Sequence, residues 1–415
     1  MKPIELTNDI GNKTLIFQNI ENIEEGCLEQ IKTLMNCDAY KDSVIRLMPD
    51  LHKGVSGPIG FTCTITDKVV PATVGVDIGC GMLVLKLEGI RKENIDFEDF
   101  DKFIRNHIPS GRNIHDSRKV KFSEIQNLKC FRELKDTPNF ERAIGTLGGG
   151  NHFLELDEGS DGTIYFVVHT GSRNMGKQVA DYYQNLADGI CNKQLDAYFV
   201  EKANLIETYK AEGRKTEIQS ALKELQQKYK ENQNKVPKDL AWLEGSHLED
   251  YLYDMRICQW YASKNRETIC HTICDYFNLD WFTTPKFETI HNYIDFEHKI
   301  LRKGAIDCSE GKKVLIPINM RDGSIIANGK GNVNYNCSGP HGAGRLMSRN
   351  QAKENISLDE FKKSMEGIYT SCVSEDTLDE SPMAYKSIES VLPWIEETAE
   401  VVDIIKPIWN YKAKE

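Results

Sequence analysis

Side chains that can bind metal ions recur along the chain, each beside glycines or at the end of an apolar run. In the segment VGVDIGCGM, Asp77 and Cys80 are separated by two residues, and the surrounding glycines allow a sharp turn that directs both side chains toward one ion. A carboxylate and a thiolate together form half of a transition-metal site. Such a pair alone is more often structural than metal-binding. A metal site here would therefore need further ligands from other segments.

Three histidines in separate segments supply those ligands. His152 follows three glycines in GTLGGGNHFLEL, His169 ends the apolar run of FVVHTGSRNMG, and His291 begins HNYIDFEH. A lone histidine at a strand end is usually a core residue, but five imidazole, carboxylate and thiolate ligands suffice for two divalent ions that share a bridging group. The glycine run and the turn at Arg173 also suit a phosphate. The Walker spacing that ends in Gly-Lys-Ser/Thr is missing from the sequence, so a P-loop is not indicated.

A further histidine, His341, lies in a segment whose composition suggests a role other than metal binding. In CSGPHGAGRLMSRNQA, small residues at positions 342 to 344 expose the imidazole of His341 to a bulky ligand. Arg345 and Arg349 follow, and guanidinium groups hold phosphate oxygens. An accessible, neutral imidazole is what covalent bonding to phosphorus requires.

The elements that position these residues are short β-like runs on either side of a helical stretch. The runs are GFTCTI, TVGVDIGCGMLVLKL, TIYFVVHTGS and KKVLIPI. Between about positions 178 and 277 glycine and proline nearly vanish, and the charged segment from about Thr216 to Lys230 has the spacing of a solvated amphipathic helix. This pattern predicts an α+β fold of mixed sheets, one large catalytic domain over residues 1–415 with the helical region inside it, whose strands deliver ligands to a central cleft.

Composition excludes several classes of protein. The 415 residues carry a formal net charge of −11, which argues against nonspecific coating of nucleic acid, although a local basic groove is compatible with it. No apolar run reaches the roughly 18 to 20 residues that cross a bilayer, and the first residues lack the layout of a signal peptide. From these two observations we expect a cytoplasmic protein with no membrane partner. Because the twelve cysteines are scattered rather than regularly spaced, we expect most of them to be free thiols in a reducing compartment.

Taken together, the motifs resemble the RtcB family of RNA ligases, and the resemblance runs from about position 48 to position 412. The shared motifs are MPDLHKG at 48–54, VGVDIGCGM at 74–82, GTLGGGNHF at 145–153, HTGSRNMG at 169–176, HNY at 291–293, RKGA at 302–305, HGAGR at 341–345 and DESPMAYKSIESV at 379–391. So many ordered motifs do not agree by chance.

The resemblance implies a role for each candidate residue. The implied ligands are Asp77, Cys80 and His152 for one manganese ion, and Cys80, His169 and His291 for a second. His341 matches the histidine that carries a guanylate, and Asp50 belongs to a motif near the metals. The implied guanosine contacts are Asn151, His152, Phe153, Leu154, Glu155, His291, Asn292, Pro317, Ile318, Asn319, Met320, Ser324, His341, Gly342, Ala343, Gly344 and Lys412.

The implied activity is GTP- and manganese-dependent joining of RNA 3′-phosphate or 2′,3′-cyclic phosphate ends to 5′-hydroxyl ends, in RNA splicing or repair. Two alternatives remain from the residues. A two-metal phosphodiesterase or phosphatase would use the same ligands without needing the HGAGR segment. A catalytically silent RNA-binding protein would result if departures from the commoner family pattern, Asn319 in place of serine and Pro340 in place of cysteine, disabled nucleotide binding.

Overall fold

The computed structural model describes residues 2–229 and 236–412, and it confirms the predicted α+β class. The strands are β1 (Ile4–Thr7), β2 (Lys13–Ile16), β3 (Ile45–His52), β4 (Ile59–Thr64), β5 (Lys68–Val69), β6 (Gly81–Leu87), β7 (Phe153–Glu158), β8 (Ile164–Thr170), β9 (Leu243–Glu244), β10 (Lys286–Ile290), β11 (Asn292–Asp295), β12 (Ile300–Lys303), β13 (Ala305–Asp307), β14 (Lys313–Asn319), β15 (Gly323–Gly329), β16 (Ser338–Pro340), β17 (Tyr369–Thr370) and β18 (Ala399–Lys412). The α-helices are α1 (Glu25–Met35), α2 (Phe97–His107), α3 (Pro138–Ala143), α4 (Arg173–Ala211), α5 (Ile218–Lys228), α6 (Gly245–Tyr276), α7 (Arg349–Asn355), α8 (Leu358–Ser364) and α9 (Ile388–Thr398). Within the two described ranges, every helix is too short or too polar to cross a membrane.

Two large sheets dominate the fold. The six-stranded sheet has the order β1-β2-β3-β4-β12-β11, and the eight-stranded sheet has the order β10-β6-β8-β7-β18-β15-β14, with β17 pairing parallel to β18. All other neighbours in these sheets are antiparallel except β2 and β3. The strand β14 also returns to the opposite edge of the larger sheet, where the Leu315 N–H donates to Thr289 Oγ1 at 3.0 Å. The larger sheet is therefore strongly curled and has a concave face.

Alternation along β8 decides which side chains reach that concave face. Phe166 and Val168 point to the convex face, where they belong to a buried cluster that includes residues of α2 and α6. Val167 points the other way, and His169, two residues further on, follows it to the concave side and lies 5.2 Å from the Phe153 ring. The period of two thus places an imidazole inside the curl at the end of the strand.

The helical stretch is formed mainly by α4 and α6, which pack against each other and against the smaller sheet. Their shared core contains buried aromatic residues such as Tyr183 and Tyr251. The helix α5 covers most of the charged segment that was predicted to be helical, and Leu225 is buried on it. The last residue of that prediction, Lys230, lies outside the described residues.

Candidate active site

Strand register brings three of the predicted ligands together at one end of the curled sheet. Cys80 directly precedes β6, which pairs on one side with β8, the strand of His169, and on the other side with β10, which His291 follows. The His291 N–H donates to the Cys80 carbonyl at 3.0 Å. Cys80 Sγ lies 3.3 Å from His169 Nε2, which lies 3.3 Å from His291 Nε2. These three ligand atoms form the first candidate site for a cation.

A second group shares the same thiol. His152 directly precedes β7, and its Nε2 lies 2.9 Å from Asp77 Oδ2 and 3.5 Å from Cys80 Sγ. Within each group the ligand atoms lie within 4.8 Å of one another. The five predicted ligands are therefore assembled as two triplets joined at Cys80.

Backbone carbonyls set the orientation of two of the imidazoles. His152 Nδ1 lies 2.9 Å from the Leu147 carbonyl, and His169 Nδ1 lies 3.1 Å from the Asn151 carbonyl. Because a carbonyl accepts only, each Nδ1 carries a proton, and the Nε2 of neutral His169 presents its lone pair to the group, as in metal-bound histidines. His291 Nδ1 is buried without a partner among the described residues.

Burial controls the protonation of these ligands. It holds the pKa of His169 and of His291 well below the usual range, so both rings are neutral at pH 7. Burial and the nearby Asp77 raise the pKa of the Cys80 thiol. Burial opposes ionisation of Asp77, but its hydrogen bond with His152 prevails and lowers the pKa of the carboxyl to about 2. The two neutral imidazoles of His169 and His291, together with His152, a carboxylate and a displaceable thiol proton, form a donor set that fits divalent transition ions.

Two residues that sequence analysis missed support the turn before β6. A Cβ on Gly171 would lie 2.2 Å from Asp77 Oδ1, so only glycine fits beside that carboxylate. Arg266, fully buried on α6, donates from Nη1 to the carbonyls of Gly79 at 2.8 Å and Thr170 at 2.6 Å. No local sequence pattern distinguishes Arg266 from the other charged residues of its helix.

The predicted phosphate turn at Arg173 is arranged differently from the expectation. The half-buried Arg173 donates to Thr146 Oγ1 and to the Gly111 carbonyl, each at 3.2 Å. It lies against Gly148, where a Cβ would be 1.9 Å from Nη1. Gly148 thus makes room for an arginine, and Arg173 holds the glycine run in place.

A cavity of about 260 Å³ opens beside the ligands and is lined by most of the predicted guanosine contacts. Those that line it are Asn151, Phe153, Glu155, His291, Pro317, Ile318, Asn319, Met320, His341, Gly342, Ala343, Gly344 and Lys412. The others lie elsewhere: His152 is in the ligand group, Leu154 is in the core on the convex face, Asn292 accepts a hydrogen bond from the Gly304 N–H, and Ser324 is fully buried in β15.

His341 lies at the wall of this cavity and is held by a buried aspartate. Its Nδ1 is 2.5 Å from Asp50 Oδ2, and its backbone N–H donates to the same oxygen at 3.0 Å. Its ring is 5.1 Å from that of His291, measured between centroids. Because Asp50 fixes the proton on Nδ1, the lone pair of Nε2 is free to act as a nucleophile. The motif of Asp50 therefore contributes to the site through His341.

A second wall of the cavity is a network of charged groups around Glu380. The carboxylate pairs with Lys412 Nζ, with Arg349 Nη1 at 2.8 Å and with Arg345 Nη1 at 3.6 Å, and it accepts a hydrogen bond from the Tyr385 hydroxyl at 2.8 Å. Burial disfavours its charge, but Lys412 and Arg349 outweigh burial and lower the pKa of Glu380 to about 2. The two arginines that were expected to hold phosphate are paired with this carboxylate.

Comparison with known proteins identifies the relatives of this arrangement. The model of the family described as tRNA-splicing ligase RtcB matches residues 30–142 and 132–413. The chain belongs to the RtcB family. It is 27% identical over 402 residues to the RNA-splicing ligase RtcB of Escherichia coli K12, covering 88% of each chain. It is 24% identical over 457 residues to the tRNA-splicing ligase RtcB of Thermococcus kodakarensis, covering 89% of this chain and 87% of the relative.

The two departures noted in the sequence, Asn319 and Pro340, both lie at the ends of strands. Asn319 ends β14 and accepts hydrogen bonds from the N–H groups of Arg321 and Asp322, at 3.0 and 2.9 Å. It therefore closes the tight turn to β15 while still lining the cavity. Pro340 is buried in β16, where it pairs with Ala305 immediately before His341.

Proposed function

We propose that this RtcB-family chain is a GTP-dependent RNA ligase that joins RNA 3′-phosphate or 2′,3′-cyclic phosphate ends to 5′-hydroxyl ends through a guanylate on His341. One observation carries the proposal. His341, with Nδ1 held by buried Asp50, lines a cavity that also contains two of the clustered metal-type ligands. A two-metal hydrolase has use for the ligands but none for an oriented second nucleophile. The ligase names of the relatives point the same way.

In the first step, Nε2 of His341 attacks the α-phosphorus of GTP, an N–P bond forms, and the bond to pyrophosphate breaks. Positive charge develops on the imidazole as its lone pair is donated. Asp50, 2.5 Å from Nδ1, stabilises that charge and keeps the ring oriented. Its contribution is electrostatic, because the proton can remain on Nδ1 throughout.

The ligand groups would hold two manganese ions, bound by Asp77, Cys80 and His152 and by Cys80, His169 and His291. When bound, such ions supply Lewis-acid stabilisation of negative charge on phosphate oxygens. The chain's own part is to present neutral imidazoles, because burial keeps the pKa of His169 and His291 low. The neutral rings keep their lone pairs available at pH 7.

Glu155 would favour guanine in the cavity, because its carboxyl group can accept hydrogen bonds from the base. Burial raises the pKa of this carboxyl to about 8, although Lys412 opposes the shift. A base that offers N–H donors would stabilise the ionised form and would be bound in return. Guanine carries such donors on its Watson–Crick edge, including the N2 amino group.

In the later steps the guanylate is transferred to the RNA, where a 2′,3′-cyclic phosphate end must first be opened by water, which breaks the bond to the 2′ oxygen and leaves a 3′-phosphate. An oxygen of the 3′-phosphate attacks the guanylate phosphorus, and the N–P bond to His341 breaks. The 5′-hydroxyl of the second strand then attacks the activated 3′-phosphate, and GMP leaves as the phosphodiester forms.

We place the enzyme in the cytoplasm, because all twelve cysteines are free thiols and most are buried.

Labelling with GTP that carries a tagged α-phosphate tests the proposal. With manganese, the wild type should retain one guanylate on the peptide that contains His341, through a phosphoramidate that survives alkali and hydrolyses in mild acid. His341→Ala should abolish both label and sealing, and His107→Ala, at an exposed histidine of α2, should abolish neither. Turnover without retained label would favour a hydrolase, and neither label nor turnover would favour a silent binder.

A further inference from the structure

We propose that a second groove, next to the reaction cavity, binds the sugar-phosphate backbone of the RNA strand whose end is being joined. This inference rests on the proposed ligase function. The groove has a volume of about 410 Å³, and we call it the Arg112 groove. It is lined by Arg105, Ser110, Gly111, Arg112, Asn113, Ser371, Cys372, Tyr411 and Lys412.

The Arg112 groove and the reaction cavity are two parts of one surface. Lys412 lines both. The floor of the groove is joined to the glycine run, because Ser110 forms a β-bridge with Gly148 and the Gly111 N–H donates to the Gly148 carbonyl at 2.9 Å. Asn151, three residues after Gly148, is exposed and lines the reaction cavity. A strand in the groove can therefore reach the metal ligands across residues 149 to 151.

Of the cationic side chains that line the groove, Arg112 is the one that can pair with a ligand, because Arg105 and Lys412 already pair with carboxylates. Arg105 is paired with Asp101, Nε to Oδ2 at 2.8 Å, and the ammonium of Lys412 is paired with Glu380. Arg112 is exposed, and within the described residues no carboxylate lies within ion-pair distance of it. In a chain of net charge −11, an unpaired guanidinium beside a reaction cavity is suited to a phosphate of an incoming polyanion.

The aromatic residue of the groove is not available to stack on a base. The guanidinium carbon of Arg105 lies 4.9 Å from the centroid of the Tyr411 ring and covers it. The Tyr411 hydroxyl lies 2.9 Å from Ser110 Oγ, which fixes the ring further. The groove therefore offers charge and hydrogen bonds without a stacking platform. Such a site contacts phosphate and ribose and does not read sequence.

The test compares Arg112→Glu with Lys119→Glu, a change of equal charge at an exposed lysine of the same loop. Binding of single-stranded RNA with a 3′-phosphate is measured by fluorescence anisotropy without GTP, over a series of salt concentrations. For Arg112→Glu we expect Kd to rise about tenfold, with a slope of log K against log salt flatter by roughly 0.7, the value for one contact on a single strand. The loss should be equal for uridine-rich and adenosine-rich RNA. Lys119→Glu should bind as the wild type does.

Two measurements make the result decisive. Arg112→Gln should show a smaller loss in the same direction, and the KM for GTP in guanylylation of His341 should be unchanged in both Arg112 variants. Wild-type RNA affinity in Arg112→Glu, or a loss for only one RNA sequence, would overturn the proposal. A raised KM for GTP with normal RNA binding would also overturn it, because the groove would then hold the triphosphate. Since binding is measured without GTP, failure of guanylylation in the wild type would count against the ligase function alone.

Discussion

The two walls of the reaction cavity carry buried polar groups in opposite states. On one wall the imidazoles of His169 and His291 are buried and neutral, and their lone pairs converge with the Cys80 thiol. On the other wall Glu380 is ionised and surrounded by cationic partners such as Lys412. The first wall presents donor atoms that a cation from solution would complete, and the second is completed by the chain itself.

Because of this difference, substitutions in the first wall should affect cation binding, and substitutions in the second wall should affect the stability of the fold. Removal of the Cys80 thiol from the first wall should weaken cation binding but leave the apoprotein folded, because the neutral thiol takes part in no ion pair within the described residues. A carboxylate removed from the second wall leaves buried cations without their partner, which destabilises the fold. The experiments below test that separation, in order of expected effect.

The largest expected effect is that of Cys80→Ser on the first wall. A hard hydroxyl replaces the thiolate shared by both ligand groups, so we expect manganese affinity and guanylylation to fall by more than about 100-fold. Unfolding of the apoprotein by urea should change by less than about 1 kcal/mol. Cys191→Ser, at a half-buried thiol outside the site, is the matched control. If Cys80→Ser binds two manganese ions at wild-type affinity, Cys80 is only a packed thiol.

The converse is expected for Glu380→Gln on the second wall. Loss of the carboxylate leaves Lys412 without its buried anion, whereas Arg349 keeps its ion pair with Asp379, so the free energy of unfolding should fall by about 3 kcal/mol. Manganese affinity, measured by calorimetry, should stay within about twofold, because Glu380 belongs to neither ligand group. A variant that unfolds at the wild-type urea concentration would show that the network does not support the fold.

Acid should remove the same contribution from the wild type. The pKa of Glu380 is lowered from 4.5 to about 2 in the folded state, so its stabilising effect is complete above pH 4.5 and is lost as pH falls toward 2. The difference in unfolding free energy between wild type and Glu380→Gln should therefore shrink across that interval. Urea unfolding at several pH values measures it, and a difference that stays constant down to pH 2 would contradict the assignment.

The smallest effect is expected far from both walls, on α5. Lys215 and Lys223 lie at exposed positions of the segment around this helix, which contributes no ligand to either group. Reversing both to glutamate should leave guanylylation of His341 within about twofold of the wild type. This variant sets the baseline for the others, and loss of the guanylate label would assign the helical region a part in the nucleotide step.

Residue chemistry singled out five side chains that the fold brings together, and strand register decides how they meet. Asp77, Cys80 and the histidines stand out because soft or imidazole donors lie at strand ends beside glycines. No local pattern predicts that Asp50 holds His341, because these residues are 291 positions apart and meet only when the chain folds. The same limit explains Arg349, which was expected to bind phosphate, because its partner Glu380 lies in a distant segment.

A single residue joins the two large sheets at the centre of the site. His291 is the only position between β10, an edge of the curled sheet, and β11, an edge of the six-stranded sheet. Its imidazole can meet Cys80 and His169 only after β6, β8 and β10 have paired in register. An ion bound by this triplet therefore binds the folded chain and not the unfolded one, so each increment of free metal shifts the folding equilibrium by mass action. Metal occupancy at this position would thus measure whether the strands of the curled sheet have paired next to the six-stranded sheet.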